Sequence, residues 1–144
     1  MTMRALFDVN ALLALVDKEH TFHPKVRTWW TANKESGWAT CAITQNGFAR
    51  IMSQPHYTSP VATMDAIRLL AMGLERAEHE FWAASISITD EEIFDQSRIL
   101  GPNQITDVYL LGLAVKNGGR LVTFDRGLPI KAVRGAEARH VVVL

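Results

Sequence analysis

Short, largely apolar runs recur along this chain, and each of the first three is followed by a segment with helical spacing. The runs fall at residues 4–9, 37–41, 84–88, 120–124 and 140–144. A strand with one wet face alternates apolar and polar residues. The run at 4–9 does not alternate, so both of its faces are expected to be covered. Asn10 is placed to cap a helix through Ala11-Leu12-Leu13-Ala14-Leu15-Val16, and Pro24 to open a second carrying Val26, Trp29 and Trp30. Thr44 is placed to cap a third, with Phe48, Ile51 and Met52 on one face. A turn at 54–59 leads to a helix opened by Ser59-Pro60 and stopped by Gly73. Thr89 is expected to cap a helix over 91–100. Thr106 is expected to cap another that carries Leu110, Leu111, Ala114 and Val115 and ends at Asn117-Gly118-Gly119. Strands alternating with helices specify the α/β class, with a parallel sheet covered on both sides.

The 144 residues fit one domain, 1–144, and an apolar fraction of 48% supplies a core. Fifteen basic residues against fifteen acidic ones leave no formal net charge. That balance argues against a protein that coats nucleic acid by bulk electrostatics, because such domains are usually basic. Cys41 is the only cysteine, which excludes an intramolecular disulfide and a cysteine-rich zinc site. With no basic-then-apolar leader and no run of membrane-spanning length, the expected location is the cytoplasm.

Three aspartates stand where apolar runs hand over to a loop or helix. They are Asp8 in Leu6-Phe7-Asp8-Val9-Asn10, Asp107 in Ile105-Thr106-Asp107, and Asp125 in Val122-Thr123-Phe124-Asp125-Arg126-Gly127. Each alone has an ordinary explanation as a turn former, a cap or a first-turn acid complementing a helix dipole. An open α/β sheet, however, gathers its ligands outside the carboxyl ends of its strands, so these acids can meet in space. Carboxylates brought that close repel unless protons or cations neutralise them. A hard divalent cation on oxygen ligands is the natural solution, and it points to phosphate chemistry. Thr123 lies two residues before Asp125, so both side chains point the same way if the strand persists that far. A hydroxyl there can orient the carboxylate or hold a coordinated water, and Asn10 and Thr106 are further supporting candidates.

These segments, with Thr40-Cys41-Ala42-Ile43-Thr44-Gln45-Asn46-Gly47-Phe48-Ala49-Arg50 and Leu121-Val122-Thr123-Phe124-Asp125-Arg126-Gly127, resemble the successive motifs of PIN-domain ribonucleases. The VapC toxins of bacterial toxin–antitoxin pairs are the nearest group. The resemblance covers nearly the whole chain and keeps motif order and spacing. It implies a three-layer α/β/α sandwich around a mostly parallel sheet of about five strands. It also implies Mg²⁺- or Mn²⁺-dependent RNA cleavage leaving 5′-phosphate and 3′-hydroxyl ends. The partners expected are an RNA substrate, a small cognate antitoxin that blocks the site, and a second copy of the chain as a homodimer, with no membrane. Asp8, Asp107 and Asp125 match three of the family's four usual acids as metal ligands. The fourth, commonly a glutamate, falls on Gln45. Glutamine keeps an oxygen ligand but supplies no charge and cannot act as a general base.

Other residues carry lesser claims. Arg50 and Arg126 are candidate holders of RNA phosphate, or solvated surface arginines. Lys18, His20, His23, Lys25 and Arg27 form a basic stretch that reads either as an RNA track or as a solvated face. Trp29, Trp30, Trp38 and Phe48 read as core or interface rather than base-stacking residues, with Trp29 or Trp30 as an antitoxin anchor by resemblance. Asp90, Glu91 and Glu92 read as dipole-complementing acids. The leading expectation is a metal-dependent endoribonuclease toxin. The alternatives are a PIN-fold binding module silenced or weakened at Gln45, and an RNA-processing nuclease without an antitoxin.

Overall fold

The computed structural model describes residues 3–144. Its strands are β1 (Ala5–Phe7), β2 (Trp38–Cys41), β3 (His79–Trp82), β4 (Arg120–Thr123) and β5 (Val141–Val143). Its helices are α1 (Val9–Val16), α2 (His23–Asn33), α3 (Ala42–Met52), α4 (Thr63–Leu74) and α5 (Ile105–Lys116). The five strands form one sheet in the order β3-β2-β1-β4-β5, and every pairing is parallel.

Neighbouring strand residues serve opposite faces, which is why their sequences lack alternation. Ala5, Phe7, Trp38 and Val122 join α1 to α4 in one core, while Leu6, Ala39, Cys41 and Leu121 join α5 and the 128–133 segment in the other. This is the α/β/α sandwich expected. Trp30, Trp38 and Phe48 are buried in the first core, and Trp29 packs edge-on against Phe7. The tryptophans are therefore structural aromatics, although Trp30 and Trp38 also line a surface groove described below.

Several local expectations need correction. Asn10 does not cap α1; it is exposed inside the helix, and Asp8 caps it by accepting from the Ala11 N–H at 2.7 Å. Thr44 is not the cap of α3 but its third residue, and its hydroxyl reaches back to the Cys41 N–H at 3.0 Å. Helix α4 begins at Thr63 and runs through Gly73. Thr106 lies inside α5, whose N-cap is Gln104 without a side-chain bond. The third strand is 79–82, not 84–88. The expected helix at 91–100 is absent: this stretch is turns and a short 3₁₀ helix (Gln96–Arg98) that pairs Phe94 with Val133 in an isolated antiparallel bridge.

Helix α5 packs closely because Gly112 lacks a side chain. A Cβ there would stand 2.6 Å from the ring of fully buried Phe94. Gly112→Val should cost about 1–3 kcal/mol through overpacking, read as a lower denaturation midpoint with unchanged m-value.

Candidate active site

Strands β2 and β3 lie to one side of β1, and β4 and β5 to the other, so chain order reverses between β1 and β4. Such a switch point leaves a crevice at the carboxyl edge of the sheet. Asp8 follows β1 directly, and Asp125 comes two residues after the end of β4. Helix α5 runs back from the carboxyl edge to feed β4, so Asp107 in its first turn reaches the same crevice. The topology thus brings three acids, distant in sequence, to one place.

Their electrostatics show that they sense one another. Asp8, 4% exposed, has its pKa raised mainly by burial, with a smaller push from Asp125; the Thr123 hydroxyl and the Ala11 N–H pull it back. Asp107 is pushed up to about 6, first by burial and then by the charges of Asp8 and Asp125. A group surrounded this way gains from any neighbouring cation.

Thr123 links two of the acids. Strand β4 ends at Thr123, so its relation to Asp125 is not that of two residues on one strand face. The fully buried Thr123 side chain instead accepts from the Asp125 N–H at 3.0 Å while its hydroxyl supports the Asp8 carboxylate. Asp125 Oδ1 also accepts from the Gly127 N–H at 2.8 Å, which fixes the turn.

Among the described residues, no three His, Cys, Asp or Glu side chains are drawn tightly enough together to form a finished metal cage. The donors nevertheless suit a hard divalent cation: all are carboxylate oxygens, and the pKa of Asp107 is raised by burial and then by the like charges of Asp8 and Asp125. Carboxylate oxygen is the donor type that Mg²⁺ and Mn²⁺ prefer, and such ions bind through few carboxylates and retain waters.

Gln45 is held elsewhere. Its Nε2 donates to Thr40 Oγ1 at 3.0 Å, and that hydroxyl lies 2.8 Å from His79 Nε2. The His79 ring stands edge-on to Trp38, with its pKa lowered by burial and then by Arg4. No hydrogen bond joins Gln45 to Asp8, Asp107 or Asp125. The Thr40–His79 pair was missed in the sequence, because 79–82 carries charges and was not read as a strand. Arg50, Arg126 and Asn10 are exposed; Arg126 follows Asp125 directly, whereas Arg50 lies in the last turn of α3, and Thr106 is exposed in the first turn of α5. His20 and His23 do not form a metal pair: His20 Nδ1 accepts from the Phe22 N–H, and His23 Nδ1 bonds the Ala14 carbonyl at 2.7 Å.

Known proteins are similar to this sequence over nearly its whole length. A family model described as the PIN domain matches residues 5–134. The chain belongs to the PIN-domain family. Its similarity to Ribonuclease VapC44 of Mycobacterium tuberculosis is 51% identity over 142 residues, covering 99% of this chain and all of that protein. Ribonuclease VapC38 of the same organism is 42% identical over 86% of each chain. Ribonuclease VapC39 is 37% identical over 92% of this chain and 96% of its own. These matches place the chain in the VapC group, as its motifs implied.

Proposed function

We propose that this PIN-domain protein is a divalent-cation-dependent endoribonuclease and acts as the toxin of a toxin–antitoxin pair. The observation that supports this most is the convergence of Asp8, Asp107 and Asp125 at the sheet's switch point, in a chain whose relatives carry the name ribonuclease. The three carboxylates would hold Mg²⁺ or Mn²⁺, which supplies an activated water and neutralises charge on the phosphate being cleaved. Thr123 keeps Asp8 and the Asp125 backbone in register. Asp8 caps α1 through one oxygen, and its carboxylate is also supported by the Thr123 hydroxyl. Gln45 can carry no proton away, so proton removal falls to solvent or to one of the three acids.

An antitoxin has a fitting place on the far side of α1. A cavity of about 500 Å³ lies between α1, α2 and α4, lined by Leu15, Trp30, Trp38, Leu69 and Met72, with Lys18, Arg27 and Arg76 at its rim. Met72 is itself well exposed at this groove. An inhibitory segment with apolar anchors and acidic flanks suits this groove. Met72→Glu should weaken antitoxin binding by on the order of a hundredfold in calorimetry, while metal-dependent cleavage persists.

The silent-module reading is favoured by one observation, the bonding of Gln45 to Thr40 rather than toward the acids. RNA cleavage by the purified protein with Mg²⁺, with Mn²⁺ and with chelator decides between them. Metal-restored, chelator-abolished cleavage supports the nuclease. Chelator-insensitive cleavage, or full activity after Asp8→Ala, rejects it.

A further inference from the structure

A second cavity, of about 470 Å³, opens between the 3₁₀ turns Gln96–Arg98 and Ile130–Ala132. Its floor is apolar, formed by Leu100, Leu128 and Ile130, and its rim carries Arg98 and Lys131. Leu100 is 81% exposed, an unusual state for a leucine that neighbouring residues could cover. Two of the residues lining the cavity connect to the acids along the chain. Leu128 lies three residues beyond Asp125, and the short 3₁₀ helix Pro102–Gln104 carries the chain from Leu100 into the first turn of α5, where Asp107 sits.

Resting on the ribonuclease reading above, we infer that this cavity is a subsite for the single-stranded RNA flanking the cleaved bond: its floor takes a nucleobase and its rim takes the adjoining phosphate. Charge decides the occupant. Arg98 has a carboxylate partner, Asp95, at 3.2 Å, whereas Lys131 has none among the described residues. An unpaired lysine beside an apolar floor matches a strand that alternates flat bases with phosphates. A second copy docked symmetrically would set this cationic rim against itself, since a two-fold contact repeats the same patch on both partners. Chain connectivity adds direction, because Leu128 and Leu100 lead along the backbone to Asp125 and Asp107.

The test uses a fluorescein-labelled random-sequence single-stranded RNA. Anisotropy is read with the uncleaving Asp107→Asn protein, and cleavage with the otherwise native chain. Lys131→Glu should weaken binding about tenfold and reduce the slope of log affinity against log salt by about one to two. Leu100→Ser should weaken binding several-fold with the salt slope unchanged. In cleavage assays both should raise KM with kcat altered less than about twofold. Arg68→Ala, on the remote α4, should change neither. Both test residues are exposed, so folding should persist, and unchanged melting temperatures would show it. Normal affinity and KM in both variants, while the native chain still cleaves, would overturn the subsite and leave the nuclease reading intact. Failure of the native chain to cleave in any metal would sink the nuclease reading, and loss of RNA affinity in Lys131→Glu would still be read by anisotropy. Conversion of a dimer to a monomer by Leu100→Ser, with RNA binding unchanged, would assign the cavity to a second copy and reject the inference.

Discussion

Asp107→Asn should lower RNA cleavage on the order of a hundredfold or more and, in the presence of chelator, make the folded protein more stable. The two effects share one cause. Asp107 is pushed up to about 6 by burial and by the charges of Asp8 and Asp125. An acid whose folded pKa lies above its unfolded value binds protons more tightly when folded, so its ionisation costs stability. That cost is absent below the unfolded value of 3.8 and complete above about 6. The full shift would correspond to about 3 kcal/mol, which partial solvent access reduces to about 1–2 kcal/mol. The metal-free native protein should therefore gain stability as pH falls from 7 toward 5. The amide variant should lack that gain and start from a higher melting temperature at pH 7. Equal melting curves for the two proteins between pH 5 and 7 would show that the three acids do not interact in solution.

Gln45→Glu should lower the Mg²⁺ concentration for half-maximal cleavage roughly tenfold, the effect of an added charge worth about 1.4 kcal/mol at protein-like screening. The new carboxylate cannot donate to Thr40 as the Gln45 amide does. It would accept from the Thr40 hydroxyl instead, which obliges the His79 ring to donate or to move away. If the native chain is a silent module, this substitution should create cleavage where none existed. An unchanged Mg²⁺ requirement in an active protein would place position 45 beyond the cation's influence, consistent with its bond to Thr40.

The sequence revealed most of the frame because burial on both faces leaves a simple mark. The apolar runs of β1, β2, β4 and β5 stand out against the helices, and the acids fall where those runs stop. Strand β3 escaped notice because an edge strand needs only part of its surface covered: Glu80 and Phe81 are exposed, and only Trp82 is buried. The run at 84–88 misled for the opposite reason. Ile86 and Ile88 pack against the core as loop residues, so apolar character there reflects burial without a ladder. The expected helix at 91–100 lost to local bonding. Asp90 accepts from the Glu92 N–H, and Asp95 holds Ser97 and Arg98, offering the backbone an alternative to helix. Caps were ambiguous for the same reason, since Asp8 and Asn10 are both good N-cap residues two positions apart. The cavities were not legible at all, because each joins segments that only the fold brings together.

The central claim is that Asp8, Asp107 and Asp125 act as one cation site. Titration calorimetry with Mn²⁺ on the native protein and on Asp8→Asn, Asp107→Asn and Asp125→Asn addresses it without reference to any RNA. One saturable site in the native protein, weakened in every single variant, is the predicted result. Undiminished Mn²⁺ binding in any of the three would contradict it.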